Sequence, residues 1–263
     1  YQLLTVSIPG QPLQFFLNTR RHPTDDARVR QALLYAIDRP AIVDTVFESY
    51  SPPAYGPLCR STFAYDSDVE DRYAYDPDRA VELLEEAGWT DTDGDGTRDR
   101  DGVPLELETI LMGWGYIPEV GQMLQSQFSQ IGVGFRSRQT TFSNAIGEVA
   151  AGDYHLVPFL FSSSDPDILR TTFHSSNLDG GFNWSKVSDP QLDAWLEEGK
   201  GAIDEAQRQE VYARIQQRIM DEAMILPVRD YVNLNAAAAH VEGLGYDRQG
   251  WFPLLYGVSV TAP

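Results

Sequence analysis

Asn18–Arg39 reads NTRRHPTDDARVRQALLYAIDR, and its spacing sets how the rest of the chain is read. The apolar run Leu13–Leu17 comes first, with Gln14–Leu17 reading as a short strand. A polar loop follows, and then a helix that starts near Asp25 or Asp26. Val29, Leu33, Ala36 and Ile37 recur at helical spacing and face a core. Asp25 and Asp26 stand where an N-cap and a first-turn acid belong, since a carboxylate there meets unpaired N–H groups. The helix is expected to reach Phe47, with a break near Pro40.

Further elements follow outward from this one. Ser51–Arg60 is rich in proline and glycine and reads as a loop. Asp76 caps a helix, Pro77 fits its first position and Gly88 ends it. Leu105–Leu111 alternates as a strand. Trp114–Tyr116 is a glycine-flanked turn, and Pro118 opens a helix with Val120, Met123, Leu124, Phe128 and Ile131 inward. Val133–Arg138 reads as a strand, Phe142–Ala151 as a helix capped by Ser143, and Tyr154–Phe161 as a buried strand. Ser162–Trp184 is a long loop with weak helix over Asp167–Phe173, and long loops in compact domains are often functional. Asp189 and Asp204 cap two more helices, and Trp195 faces a core. Met224–Val228 and Tyr231–Asn235 read as strands. Beyond Glu242 the chain reads as irregular, with aromatics at Trp251, Phe252 and Tyr256. Strands alternating with helices predict an α/β fold, a mixed β-sheet flanked by helices.

The chain has 263 residues, 42% hydrophobic and 22% charged, which suits a globular protein. No run of 18 apolar residues is present to span a membrane. Twenty basic against 39 acidic residues give a net charge of −19. A basic stripe for phosphates is missing, so nucleic acid is not an expected partner, and an anionic lipid surface is disfavoured in the same way. Cys59 is the single cysteine, so no disulfide forms within the chain. His22, His155, His174 and His240 lie far apart and make no zinc pattern. Arg28 and Arg30 read as structural ion pairs.

Asp91, Asp93 and Asp95 occupy positions 1, 3 and 5 of an EF-hand-like loop, with Gly96 at the sharp turn and Asp99 at position 9. Position 12, where a bidentate glutamate belongs, is Gly102. Two readings stand: an acidic hairpin turn, or a weak structural calcium site that also draws on Asp101. No other cofactor is expected. Ser162–Ser164 lack the G-x-S-x-G elbow of a hydrolase, and Cys59 has no predictable base.

The wording of Asn18–Val43 resembles the hallmark segment of the family 5 solute-binding proteins, the dipeptide, oligopeptide and nickel receptors of bacterial ABC importers. Asn18, Pro23, Asp26, Arg28–Leu33, Tyr35–Arg39, Ile42 and Val43 carry the match. Tyr75–Trp89, Asp91–Leu107, Gln122–Val133, Ser164–Leu169 and Arg208–Pro227 resemble further family segments in the same order. The resemblance implies a periplasmic-binding-protein-like lobe of type II. Family members are about twice as long and two-lobed, and the hallmark opens their second lobe. The expectation is therefore one α/β lobe over 1–263, the C-terminal half of a two-lobed receptor, with 1–17 and 236–263 as hinge segments toward the first. Their two ends are expected to lie close together. The start at Tyr1, without methionine or leader, is read as a processed chain or a fragment.

By the same resemblance, the loop after the buried strand is the ligand-binding candidate, with Phe161, Ser162, Ser163, Ser164 and Asp165. In peptide-binding relatives an aspartate standing at Ser162 pairs with the peptide α-ammonium group. Here either Asp165 takes over or the solute has no free amino terminus. Phe142 stands where relatives carry a ligand-facing tryptophan. Trp114, Asn183 and Trp184 complete the candidate set, with core packing the alternative for each aromatic. The implied function is capture of di- or oligopeptides outside the cytoplasm, periplasmic or lipid-anchored, for delivery to ABC permease subunits. An oligosaccharide or other non-peptide solute is the alternative. A hydrolase or a free-standing calcium module is the reading from another class.

Overall fold

The hallmark stretch folds as two helices: Ala36, still helical, is the C-cap of the first, and the extended Asp38 is the N-cap of the second, with Pro40 in its first turn. The computed structural model describes residues 1–261. In chain order it runs β1 (Gln2–Ser7), β2 (Gly10–Leu17), α1 (Ala27–Tyr35), α2 (Arg39–Phe47), α3 (Pro77–Glu86), β3 (Asp99–Arg100), β4 (Val103–Pro104), β5 (Glu106–Met112), α4 (Ile117–Gln130) and β6 (Gly134–Thr140). It continues through α5 (Phe142–Ala151), β7 (Leu156–Ser162), α6 (Ile168–Phe173), α7 (Pro190–Gly201), α8 (Glu205–Asp221), β8 (Ile225–Arg229) and β9 (Val232–Ala237). Asp26 caps α1, accepting from Arg28 N, and Asp38 caps α2, accepting from Ala41 N. Asp76, Asp189 and Asp204 cap α3, α7 and α8 as expected. The α5 cap is Thr141 rather than Ser143: its hydroxyl accepts from Asn144 N at 3.3 Å, and Ser143 already lies inside the helix.

Five strands form the central sheet in the order β6-β5-β7-β2-β8. β5 runs parallel to β6 and to β7, while β2 runs antiparallel to β7 and β8. The sheet is therefore mixed, with α4 as the crossover between β5 and β6. Apolar residues from both sheet and helices make one continuous core, including Phe15, Phe16, Leu33, Trp89, Phe128 and Tyr212. No helix among the described residues is long and apolar enough to cross a membrane.

The expected hinge segments need redrawing. β2 is buried along its whole length, so residues 10–17 are a central strand of the sheet and not a crossover. Only β1 leaves the sheet. It pairs antiparallel with β9 from Gln2↔Ala237 to Ser7↔Val232, which brings the first residues of the chain against residues 232–237. The segment beyond Glu242 is not wholly irregular, since Gly245–Tyr246 pairs with Pro253–Leu254 and Val241–Glu242 with Ser259–Val260. Residues 262–263 of the expected second segment lie outside the described residues.

Arg28 does pair with Asp26, at 2.6 Å. Arg30 does not form an ion pair. It is buried and donates to the carbonyls of Thr24, Asp25, Glu222 and Ala223, bracing the start of α1 against the end of α8. Buried Arg39 likewise donates to the carbonyls of Leu34, Tyr73 and Pro227.

Asp230, just after β8, is buried beside Cys59 and Arg60. Its carboxylate accepts from Arg60 N at 3.1 Å, with the Arg60 guanidinium 4.0 Å away. Burial outweighs these contacts and pushes its pKa up to about 6. Between the ordinary value of 3.8 and about 6 the folded chain holds a proton that the unfolded chain has lost. Stability from this group therefore falls as pH rises through that window, by on the order of 3 kcal/mol at about 1.36 kcal/mol per pK unit. Asp26, Glu70 and Asp189 are held below the ordinary carboxylate range and act in the opposite sense, at lower pH. Urea unfolding of the parent and of Asp230→Asn from pH 4 to 8 isolates the effect. The variant should gain on the parent across this window, and a constant difference would show that the carboxyl is not strained by burial.

Candidate functional site

Phe159 and Phe161 stand two residues apart on β7 and share a face, because side chains alternate along a strand. Phe159 is the hub of an aromatic platform. Phe142 stacks on it at 5.7 Å, and Trp114 and Trp184 meet it edge-on at 6.0 Å and 5.2 Å. Phe161 touches Phe159 at 4.7 Å and Phe182 at 5.2 Å. Trp114, Phe142 and Phe182 remain partly open to solvent, at 37%, 47% and 38%. Trp184 is buried and forms the floor, against Phe16, Phe159, Phe161 and Phe182.

Local structure explains each placement. Trp114 sits on the turn between β5 and α4, where Gly115 and Tyr116 both take positive φ. Phe142 opens α5 beside its cap. Phe182 and Trp184 flank Asn183, whose side chain is fully buried. Its amide donates to the carbonyls of Phe173, His174 and Val187, and its oxygen accepts from Val187 N. Asn183 is thus a brace for the long loop and has no polar atom left for a solute. The expectation that it binds ligand is corrected on that ground. Trp184 likewise supports the platform from below and offers almost no surface.

The serine loop lies at the end of β7. Ser162 is exposed, and its hydroxyl oxygen accepts from the indole Nε1 of Trp251 at 2.9 Å. That leaves the hydroxyl proton for a further acceptor. The Ser163 hydroxyl donates to Asp165 O and accepts from Asp165 N, closing a tight turn. Ser164 is exposed. The Asp165 carboxylate accepts from Asp167 N at 2.8 Å and pairs with Arg208 at 2.6 Å. Asp165 thus already pairs with Arg208 and braces the start of α6 through one carboxylate oxygen, while its side chain stays 54% exposed. Beneath the platform, in register with Phe159, Gln14 is buried with neither amide atom bonded to protein.

Phe159, Phe182 and Trp251 are members of this face that sequence reading did not single out for it. The i, i+2 spacing of Phe159 with Phe161 was a usable signal. Phe252 and Tyr256, grouped with Trp251 in the sequence, are largely exposed.

The acidic loop is separate. Asp91, Asp93 and Asp95 bring one carboxylate oxygen each within 4.8 Å of one another. Asp99 is not among them, because its carboxylate accepts from Thr92 N and Thr92 Oγ1. Asp91 accepts from Gly94 N and Gly96 N, Asp93 from Asp95 N, and Asp95 from Thr97 N. These bonds account for the turn without an ion. A calcium ion would find three exposed carboxylates, a partial fit to the six to eight oxygens it takes.

The family described as bacterial extracellular solute-binding proteins, family 5, middle, matches residues 4–180. Heme-binding protein A of Haemophilus influenzae is 28% identical over 256 residues, which cover 92% of this chain and 43% of that protein. Oligopeptide-binding protein AppA of Bacillus subtilis is 27% identical over 210 residues, covering 78% of this chain and 38% of its own length. The structure of that AppA in complex with a nonapeptide superposes with a TM-score of 0.85 at 24% identity, covering 99% of this chain and 52% of the other. The fold is thus that of a type II periplasmic binding protein lobe. The chain spans less than half the length of either curated relative.

Proposed function

Because the chain belongs to the bacterial extracellular solute-binding proteins of family 5, we propose that it is a ligand-binding lobe of an extracytoplasmic receptor. The receptor captures a peptide and delivers it to the permease subunits of an ABC importer. The observation that carries the solute-binding part is the aromatic platform. Three half-open rings are held by a partly buried hub, Phe159, and a buried floor, Trp184, at the end of a strand and beside a loop that still offers hydroxyl groups. Rigid aromatic area of this kind binds flat or apolar solute groups with little ordering cost. Relatives named for oligopeptides and dipeptides favour a peptide. Nothing in the proposal calls for catalysis: the face carries no base aimed at a nucleophile, and the Cys59 thiol is buried with its pKa pushed up.

In operation the platform and a facing surface close on the solute, and the solute favours closure by binding the closed state more tightly. The β1–β9 ribbon, which joins the segments entering and leaving the central sheet at β2 and β8, is the segment about which such closure turns.

One observation favours a second reading, a neutral solute such as an oligosaccharide. Ser162 has no charge to offer an α-ammonium group, and Asp165 already pairs with Arg208. Thermal unfolding with a panel of free peptides, their N-acetylated forms and oligosaccharides separates the two, both on this chain and on one extended to the length of its relatives. Ligands that bind only the native state raise the midpoint. A rise with peptides that acetylation abolishes supports the peptide reading. A rise with sugars, or one indifferent to acetylation, supports the second. No rise with either class removes both.

A weak structural calcium site at Asp91, Asp93 and Asp95 belongs to the proposal as a separate feature, remote from the solute. Calcium should raise the unfolding midpoint with a dissociation constant of about 1 mM, as expected for few and exposed ligands. Asp93→Asn should abolish the rise. A midpoint unmoved by calcium would leave the loop as a hydrogen-bonded turn.

A further inference from the structure

Arg229 differs from the other buried arginines of this fold. Arg30 and Arg39 each satisfy their guanidinium groups on several main-chain carbonyls. Arg229 is only 6% exposed, yet its guanidinium makes one short side-chain hydrogen bond among the described residues, from Nη1 to Ser51 Oγ at 2.6 Å, with Tyr231 as its other polar neighbour. Nε is buried without an acceptor. Phe47 and Tyr231 cover the guanidinium at 4.0 and 4.6 Å from their ring centroids. No carboxylate among the described residues pairs with it: the neighbouring Asp230 turns to Arg60 instead.

The same arginine lines a cavity of about 390 Å³ between the end of α2, the turn before α4 and the start of β9. Phe47, Ser51, Tyr116, Tyr231 and Leu234 are among its walls. That volume lies within the range of small-molecule sites. Burying a cation without a counter-charge is costly, and burial does lower the Arg229 pKa. Rigid rings and the Ser51 hydroxyl hold the guanidinium in place, so its orientation is fixed before anything binds.

We propose that this cavity is a carboxylate-binding site, in which Arg229 receives a carboxylate carried on an apolar or aromatic body. The guanidinium fork matches a carboxylate, and a pair formed away from water is stronger than one at the surface. Aromatic and aliphatic walls suit an organic acid better than a bare inorganic anion. Glu48, on the rim, is the one acidic residue lining the cavity, and it disfavours polyanions there. The site adjoins the platform without belonging to it. Tyr231 packs on Trp251 at 5.4 Å, and the Trp251 indole donates to Ser162. On the other side Tyr116 meets Phe47 edge-on at 5.9 Å, two residues after Trp114.

Sodium benzoate titrated into the 263-residue chain, with amide chemical shifts as the readout, tests the site; benzamide is the neutral control of the same shape. Benzoate should bind about tenfold or more tightly than benzamide and shift the amides of Tyr231–Leu234. Arg229→Gln should lose that preference. Leu234→Trp fills the cavity from an exposed position, and should weaken benzoate about tenfold even if the arginine variant fails to fold. Equal binding of benzoate and benzamide, shifts elsewhere only, or benzoate affinity unchanged by Leu234→Trp would each overturn the proposal.

Two sources can supply the carboxylate, and a chain extended to the length of the relatives distinguishes them. Benzoate binding retained there points to a solute carboxylate, such as a peptide C-terminus. Benzoate binding lost there points to an acidic side chain of the added segment. The inference stands apart from the peptide reading, since benzoate can bind whether or not any peptide does.

Discussion

Gly10→Ala is expected to cost about 4 kcal/mol or more, enough to leave the chain largely unfolded. Gly10 opens β2 with φ +123°, a conformation that side chains with a Cβ rarely adopt. A Cβ there would lie 2.1 Å from Phe161 O, 2.5 Å from Ser163 N and 2.9 Å from Ser162 Cα. All three are main-chain atoms of the strand and loop that carry the candidate site, so no rotamer change relieves the clash. The backbone is fixed from the other side as well. Gly10 N donates to Thr62 Oγ1 at 2.8 Å, and Gly10 O accepts from Cys59 N at 2.7 Å. Gly94→Ala is the matched control: φ is +79°, but nothing lies within 4 Å of the added carbon. It should cost about 1–2 kcal/mol, the intrinsic penalty of left-handed backbone. Urea unfolding of both variants makes the comparison. Equal losses would show that the packing of β2 on the serine loop is looser than the structure describes.

Gly10 also shows where the sequence stops being legible. Caps at Asp26, Asp76, Asp189 and Asp204 were readable because a cap is a local event, settled within three residues. The extent of β2 was not. Gln11 and Pro12, ahead of the readable Gln14–Leu17, look unlike strand interior, and only the placement of β2 between β7 and β8, more than 140 residues away, buries them. Of the candidate site, Trp114, Phe142 and Phe161 could be placed because each stands at the end of a readable element. Phe159 was hidden inside an apolar strand, where core and platform residues have the same composition. The contact between Trp251 and Ser162 joins positions 89 residues apart, and no local pattern encodes it. Asn183 was misread for a related reason. Its place beside Trp184 at the close of the long loop suggests a ligand contact, and only the carbonyls brought in from Phe173, His174 and Val187 make it a brace. Arg229 gave no signal at all, since what distinguishes it is the lack of a carboxylate partner in space.

The platform predicts a separation between stability and affinity. Trp184→Ala should cost about 3–5 kcal/mol, the usual loss for a buried aromatic truncated to alanine. Its ring lies 5.2 Å from Phe159, 5.7 Å from Phe182 and 6.0 Å from Phe16, so a cavity would open directly beneath the exposed rings. Phe142→Ala removes a ring that is 47% exposed and stacked on one neighbour, Phe159. It should cost less than about 1 kcal/mol in stability. Its effect should appear instead as about three- to tenfold weaker binding of whichever compound of the solute panel binds best, the worth of one aromatic contact. Trp184→Phe keeps part of the floor and should fall between the two in stability. Calorimetric titration and urea unfolding of the same three variants supply both axes. If Phe142→Ala left affinity unchanged, the open rings would be a surface feature and the solute would sit elsewhere. If it lost as much stability as Trp184→Ala, the ring would be core, and the half-open stacking on Phe159 would have no bearing on binding.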